Sequence, residues 1–338
     1  MARQVTISEV AKLAGVHPST VSRALNPATR SLVNEKTARR VITAAESLNY
    51  FPNIMARGLR TRLSMTIGVI IPDLTNPIFP SIIRGIEGHL APLGYTTLLA
   101  DVDGSNALED SAISSLVQRQ VDGLIIATGV EQSSLVKALS QSGLPVVLVN
   151  RGASETGYPL VTGDDDMGIR ASVEHLHSLG HRNIIHIAGP QSFSTSRGRA
   201  DAMKRACADN SMQLRIVEAS ALTVEQGEKV TDALLAEPNR SFTALQASTD
   251  LLALGALRAI RKFGLSCPAD ISVSGFNDMP FAEEFSPGLT TVRVPLEEIG
   301  IESARQLMRA IKDGPGSPLV LTLPVSLVVR ASTARVAI

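Results

Sequence analysis

Residues 5–26 read VTISEVAKLAGVHPSTVSRALN. Ile7, Val10, Ala11 and Ala14 recur at i, i+3, i+4 and i+7, which puts them on one face of a helix. Thr6 stands where an N-cap belongs, and Glu9 three residues later completes a capping box. Gly15 interrupts the pattern where a left-handed backbone is cheapest. Pro18 suits the first position of a second helix. That helix turns Val21, Ala24 and Leu25 inward and leaves Ser19, Ser22, Arg23 and Asn26 outside. The pattern is a helix-turn-helix whose second helix offers small and basic side chains to a DNA major groove. The alternative is an αα-hairpin inside a larger helical domain, and the residues that follow weigh against it.

Charge is distributed unevenly around this stretch. The chain of 338 residues is neutral, yet residues 1–62 hold ten Lys/Arg against three acids, +7, and the rest 22 against 29, −7. A basic head on an acidic body is the pattern of a polyanion-binding module joined to something else. With 44% hydrophobic residues there is room for about two or three domains and a sizeable core. Cys207 and Cys267 supply neither a disulfide framework nor metal spacing, which fits a reducing cytoplasm. Met1 is followed by polar, basic residues and no apolar signal core, and no run approaches ~18 apolar residues, so no membrane span is expected. Absence of Trp and 3% aromatics argue against reading single strands by base stacking.

Asn34 is placed to cap a third helix, 35–48, that buries Val41, Ala44, Ala45 and Leu48. Residues 50–62, YFPNIMARGLRTR, have a Pro near their start and few apolar side chains. A helix over 53–59 would have about two turns, marginal in water, so this is a linker that folds when a partner holds it. From residue 65 strands and helices alternate. Strands are expected at 66–71, 95–100, 123–127 and 145–150, separated by helices near 78–90, 106–118 and 133–142. A second set begins near residue 160 and continues at 183–188, 214–218, 242–247 and 271–276, with helices near 167–179, 197–209, 224–236 and 251–263. A helix at 296–311 leads to one closing strand, 319–329. Such alternation means parallel sheets. The expected fold is a small all-α helix-turn-helix head plus an α/β two-lobed core of doubly wound parallel sheets. The expected boundaries are 1–49 for the DNA-binding head, 50–64 for a hinge and 65–338 for the core. Its lobes are 65–160 plus 293–320, and 161–292 plus 321–338.

In open parallel sheets ligands sit beyond the carboxyl ends of the strands. There the sequence places Asp73, Asn76 and Phe79, then Asn150 and Arg151, then Thr249 and Asp250, then Asn277 and Asp278. Arg197 and Arg199 open a helix nearby, and one of them could add a fork of donors. The set suits a polyol or another small polar ligand held by hydrogen bonds. Residue by residue, capping of helices and turns is an equal alternative; convergence of the set favours a site. No GxSxG elbow, GxGxxG after a strand, GxxxxGK[ST] or HExxH occurs, so no catalytic residue, cofactor or metal is expected. His175, His177, His181 and His186 look like a metal cluster, but Gly180 should end the helix before His181, which leaves them separate surface and turn roles. Asp164, Asp165 and Asp166 are read as caps of the helix that follows.

With these residues in hand the chain resembles the lactose-repressor (LacI/GalR) family of bacterial transcription regulators over nearly its whole length. TISEVAKLAGVHPSTVSRALN resembles the family's DNA-reading motif, YFPNIMARGLRT its hinge and IGVIIPDLTNPIF the opening of its effector core. STDLLALGALRAIRKFGLSCPADISVSGFNDMPFAEEFSPGLTTV resembles its second lobe. The resemblance implies a periplasmic-binding-protein-like core and a cytoplasmic homodimer on double-stranded operator DNA. It implies a repressor whose operator affinity is set by a small effector, a sugar or sugar-derived metabolite. Pro18, Ser19 and Arg23 then fall at base contacts and Leu59 at a minor-groove wedge. Thr6, His17, Thr20, Ser22, Asn26 and Asn53 complete the DNA-binding set. Effector contacts map onto Asp73, Phe79, Asn150, Arg199, Thr249 and Asn277. Three positions depart from the family pattern. His17 replaces the usual Ser cap, so the recognition helix is expected to lose a capping oxygen; Thr249 stands for Asn and Asn277 for Asp. No leucine heptad follows Arg330, which makes a dimer the default. A soluble sugar-binding protein without a regulatory role is the alternative, and the head argues against it.

Overall fold

In the computed structural model, residues 5–26, 29–50, 63–103, 105–128, 139, 143–152, 157–314 and 319–336 are described. Contacts divide the chain into Met1–Ser64 and Met65–Ile338. Asn53, Leu59, most of the expected hinge and most of the helix expected at 133–142 lie outside the described residues.

The head packs α1 (Ile7–Ala14), α2 (Pro18–Leu25) and α3 (Glu35–Ser47) around Val10, Ala11, Ala14, Val21, Ala24, Ala38, Val41, Ala44 and Ala45. Each buried methylene contributes roughly 0.8 kcal/mol, so a core of Ala and Val is thin and the helix ends matter. At α1 the Glu9 carboxylate accepts from the Thr6 amide at 2.8 Å and from its hydroxyl at 3.0 Å. Gly15 ends α1 at φ +62°, a backbone angle that L side chains rarely adopt. The Val16 amide then returns to the Ala11 carbonyl at 3.0 Å. Asn34 caps α3 by accepting from the Lys36 amide at 3.0 Å.

The core holds two six-stranded sheets. The first contains β1 (Thr66–Ile71), β2 (Thr96–Asp101), β3 (Gly123–Ile126), β4 (Val146–Val149), β5 (Leu160–Gly163) and β11 (Val320–Leu323). Its order is β11-β5-β4-β3-β1-β2, parallel throughout. The second contains β6 (Asn183–Ala188), β7 (Gln213–Glu218), β8 (Ala244–Ala247), β9 (Ser272–Asn277), β10 (Thr290–Arg293) and β12 (Ser326–Val328). Its order is β12-β10-β9-β8-β6-β7, and β12 alone runs antiparallel to its neighbour. Every residue of β3, β4, β8 and β9 is buried, as a sheet covered by helices on both faces requires. The helices are α4 (Ile78–Leu90), α5 (Asn106–Gln118), α6 (Asp165–Ser178), α7 (Ser194–Asp209), α8 (Val224–Leu235), α9 (Asp250–Lys262) and α10 (Leu296–Asp313). One apolar cluster runs from Ile67 and Ile82 in the first lobe to Ile184 and Met203 in the second.

The sheets differ from the sequence expectation at two points. Leu160–Gly163 closes the first set instead of opening the second, pairing with β4 at Leu148↔Leu160 and with β11 at Val320↔Leu160. Strand–helix alternation looks the same on both sides of a crossover, so it carries no sign of which sheet a strand joins. The single closing strand 319–329 is two strands, one in each sheet. Pro324 separates them, and a residue without an amide proton interrupts a ladder.

Candidate DNA-reading helix and effector cleft

On α2, Val21 and Ala24 are buried, while His17, Ser19 and Arg23 are exposed. Pro18, Thr20, Ser22 and Asn26 lie half-buried along its edges. Thr6 is exposed at the start of α1, its hydroxyl held by Glu9. The helix keeps its cap despite losing a serine. The His17 imidazole Nδ1 accepts from the Ser19 amide at 3.2 Å and lies 2.8 Å from the Ser19 hydroxyl. An sp² nitrogen replaces the oxygen, which corrects the expectation that the cap is weakened. At the other end the Thr29 hydroxyl donates to the Arg23 carbonyl at 3.2 Å.

In the core the strand ends assemble around two arginines. Arg199, on α7, is 5% exposed. Its Nε donates to Asp165 at 2.9 Å and its Nη1 to the Ser248 carbonyl at 2.6 Å. Its guanidinium lies 3.8 Å from the centroid of Phe276, at the end of β9. Burial raises the Asp165 carboxyl above its usual range, and Arg199 pulls it back. Arg151 follows β4 and is 4% exposed. It stacks 4.2 Å from the Phe193 ring, which precedes α7, and 6.0 Å from Phe79 on α4. The Gly152 amide donates to the Ser194 hydroxyl across the same junction at 3.2 Å. Phe79, Asn150, Arg151 and Gly152 belong to the first lobe, and Phe193, Ser194, Arg199 and Phe276 to the second, so the cluster closes the space between the lobes.

The backbone aims the remaining candidates. Asn150 sits at φ +63°, an angle Asn tolerates better than most residues, and turns the chain off β4. Thr249 caps α9, its hydroxyl accepting from the Leu252 amide at 3.4 Å. Asn277 and Asp278 take φ +115° and +51° in succession. Buried Asp250 holds that bend, accepting from the Thr291 hydroxyl at 2.5 Å and the Met279 amide at 2.7 Å. Burial pushes its carboxyl up to about 7. A Cβ on Gly275 would stand 2.2 Å from Asp250 Oδ1, so only glycine leaves room for that carboxylate. Asp73 turns onto its own loop, accepting from the Thr75 amide at 2.7 Å and hydroxyl at 2.6 Å. It makes no hydrogen bond or ion pair to the arginine cluster among the described residues. Arg197 donates to the Gln191 carbonyl at 2.7 Å, which leaves Arg199 as the arginine of the cluster on α7. Surface cavities of about 400 Å³ beside Asp278 and Arg293, and about 300 Å³ beside Leu257 and Cys267, include none of the effector candidates.

Arg151 belongs to the strand-end set but not to the effector contacts that the resemblance implies, and the sequence does not show that it has no carboxylate partner among the described residues. Asp165 is expected as a cap; Asp164 takes that role, accepting from the Met167 amide at 2.9 Å, and Asp165 holds Arg199. The histidines differ from expectation in burial. His181 is buried, within 2.7 Å of the Thr243 hydroxyl and 3.1 Å of the Ser272 hydroxyl. His186 is buried 2.6 Å from Gln246 Oε1, and burial lowers it to about 4. No group of three metal-ligating side chains occurs among the described residues. No helix among them is long and apolar enough to cross a membrane.

Comparison with known proteins places both parts. Residues 6–53 match the model of bacterial regulatory proteins of the lacI family, and residues 173–333 that of the periplasmic binding protein-like domain. The chain is 34% identical over 328 residues to a ribose operon repressor of Halalkalibacterium halodurans, covering 97% of each. It is similar to the Lac repressor dimer bound to operator and the anti-inducer ONPF, at a TM-score of 0.88 and 30% identity, covering 98% of this chain and all of that one. It is also similar to a LacI family regulator from Enterococcus faecium with bound ribose, at a TM-score of 0.71 and 30% identity over 80% of this chain and all of that one.

Proposed function

Because the chain belongs to the lacI family of bacterial regulatory proteins, we propose that it is a transcriptional repressor whose grip on operator DNA is set by a small polar ligand held between its core lobes. The observation that carries this reading is the division of α2, which buries Val21 and Ala24 and exposes Ser19 and Arg23. The exposed groups are the size and charge that base edges and phosphates in a major groove accept. We assign Pro18, Ser19 and Arg23 to bases, and Thr6, His17, Thr20, Ser22 and Asn26 to the surrounding contacts. Asn53 and Leu59 complete the set from the resemblance alone. Effector contacts are assigned to Phe79, Asn150, Arg199, Thr249 and Asn277. Asp73, spent on Thr75, is the weakest member of that set.

The mechanism follows from charge and linkage. The +7 head docks on phosphates, which supply affinity without sequence, and α2 adds choice. A twofold dimer presents two such heads to a near-palindromic site in the cytoplasm. The arginine cluster joins the lobes, so a ligand entering there must change how they close. It shifts operator affinity only by its differential affinity for the two lobe arrangements. The test is binding of the full chain to DNA upstream of its own gene, with and without sugars and their derivatives. Affinity should fall with salt at a log–log slope of roughly −0.9 per neutralised phosphate. Arg23→Ala should cost about 1–3 kcal/mol of operator affinity. Equal affinity for the operator and for scrambled duplex would refute the reading.

A further inference from the structure

Arg151 is a buried cation with no counter-charge among the described residues. Its Nε has no hydrogen-bond partner, and no carboxylate pairs with its guanidinium among the described residues. Carboxylates at neighbouring strand ends are committed elsewhere. Asp165 holds Arg199, Asp250 holds Thr291 and Met279, and Asp278 pairs with Arg293 at 2.7 Å and Arg330 at 2.8 Å. Among the described residues the cluster around Arg151 and Arg199 therefore carries two guanidinium groups and one carboxylate. Two aromatic faces, Phe193 and Phe79, flank Arg151. A cation over an aromatic ring is attracted to it, but more weakly than to an anion. The two arginines also act on one another, since the charge of Arg199 adds to the burial that lowers Arg151. Arg199 spends its Nε and Nη1 on Asp165 and the Ser248 carbonyl, and makes no hydrogen bond through Nη2 among the described residues.

We propose that the ligand of this cleft is an anion, a small polyol bearing a carboxylate or a phosphate, and that Arg151 receives the anionic group with Arg199 as its second donor. A guanidinium presents a planar fork that matches both groups. Hydroxyl groups of a neutral sugar would leave the excess positive charge of these buried arginines unanswered. Asn150 precedes Arg151 and Asn277 follows Phe276, the ring under Arg199, and both are buried side chains that donate and accept, as the hydroxyls of the polyol require. This inference rests on the reading that the effector binds between the lobes, and it names the chemistry of that effector.

The experiment is calorimetric titration of the full chain with paired probes. Gluconate and glucose 6-phosphate are compared with glucose, and ribose 5-phosphate with ribose. The expected result is that an anionic probe binds at least tenfold more tightly than its neutral parent. A preference for gluconate or for the phosphates separates the two sources of charge. Arg151→Met should lose tenfold or more of that affinity, while the melting temperature of the ligand-free protein holds or rises, because an unpaired buried charge has been removed. Arg151→Lys should restore part of the affinity. The inference is overturned if a neutral parent binds as tightly as its acid or phosphate, if Arg151→Met binds the anion undiminished, or if no anionic probe binds. Should a neutral sugar bind and alter operator affinity, the inference fails while the regulatory reading stands. Should no cleft ligand of either kind alter operator affinity, both fail.

Discussion

The head and the core treat polar side chains in opposite ways. On α2 the structural residues, Val21 and Ala24, and the exposed residues, Ser19 and Arg23, occupy separate faces, and only the cap residues Thr6 and His17 combine a structural task with an assigned DNA contact. In the core, the groups assigned to the ligand also hold the lobe together. Arg199 bridges Asp165 and the Ser248 carbonyl, and Thr249 caps α9. A substitution at Ser19 or Arg23 should change DNA binding without unfolding the head. One in the cleft should change ligand binding and core stability together.

Four substitutions can break or sharpen that contrast. Arg199→Met leaves the Asp165 carboxylate largely buried without its partner, and should lower core stability by about 3–5 kcal/mol. Urea unfolding of the full chain measures it, and a loss below about 1 kcal/mol would mean that the pair is not structural. His186 gives the next effect. Unfolded, its imidazole takes a proton near 6.5; folded, burial holds it off to about 4. Its contribution is therefore fully present above pH 6.5 and is lost as pH falls toward 4, by on the order of 3 kcal/mol at the acid end. Asp250, raised from 3.8 to about 7, acts with the opposite sign: the folded state gains as pH falls through 7. Stability profiles of wild type and His186→Asn should thus diverge below pH 6.5, the variant losing less on acidification. Parallel profiles would show that His186 does not resist protonation. Gly275→Ala drives a methyl into Asp250 Oδ1 and should cost about 2 kcal/mol, with loosening of the bend at Asn277 read as weaker ligand binding. His17→Ala removes the cap of α2 and should lower head stability by about 1 kcal/mol, while core unfolding stays unchanged.

The same contrast explains what could be read from sequence. Helix periodicity separates the two faces of α1 and α2, and local signals such as Thr6, Gly15 and Asn34 mark their ends. The His17 cap escapes a rule based on residue type, because an imidazole nitrogen accepts where a serine oxygen would. In the core, alternation exposed the strands but not the sheet that β5 joins, since register with β4 depends on contacts distant in sequence. Strand-end positions pointed to Asn150, Thr249 and Asn277, and the resemblance to Arg199. The pairing of Arg199 with Asp165, 34 residues apart, and the lack of a carboxylate for Arg151 among the described residues are properties of three-dimensional neighbours. The buried placement of His181 and His186 is of the same kind: His186 lies on β6, which is covered on both faces, and His181 lies in the turn before it against Thr243 and Ser272, while one-dimensional spacing sees only a row of histidines.

The central claim is that a ligand between the core lobes sets how tightly the head holds duplex DNA. Its direct measurement is the operator dissociation constant of the full chain, by fluorescence anisotropy, at zero and saturating cleft ligand. The ligand's own affinity is then measured with and without operator. The account predicts a change of about fivefold or more, and the same factor in both directions, as linkage between two binding equilibria demands. An operator affinity that stays constant while the ligand saturates its site would contradict it.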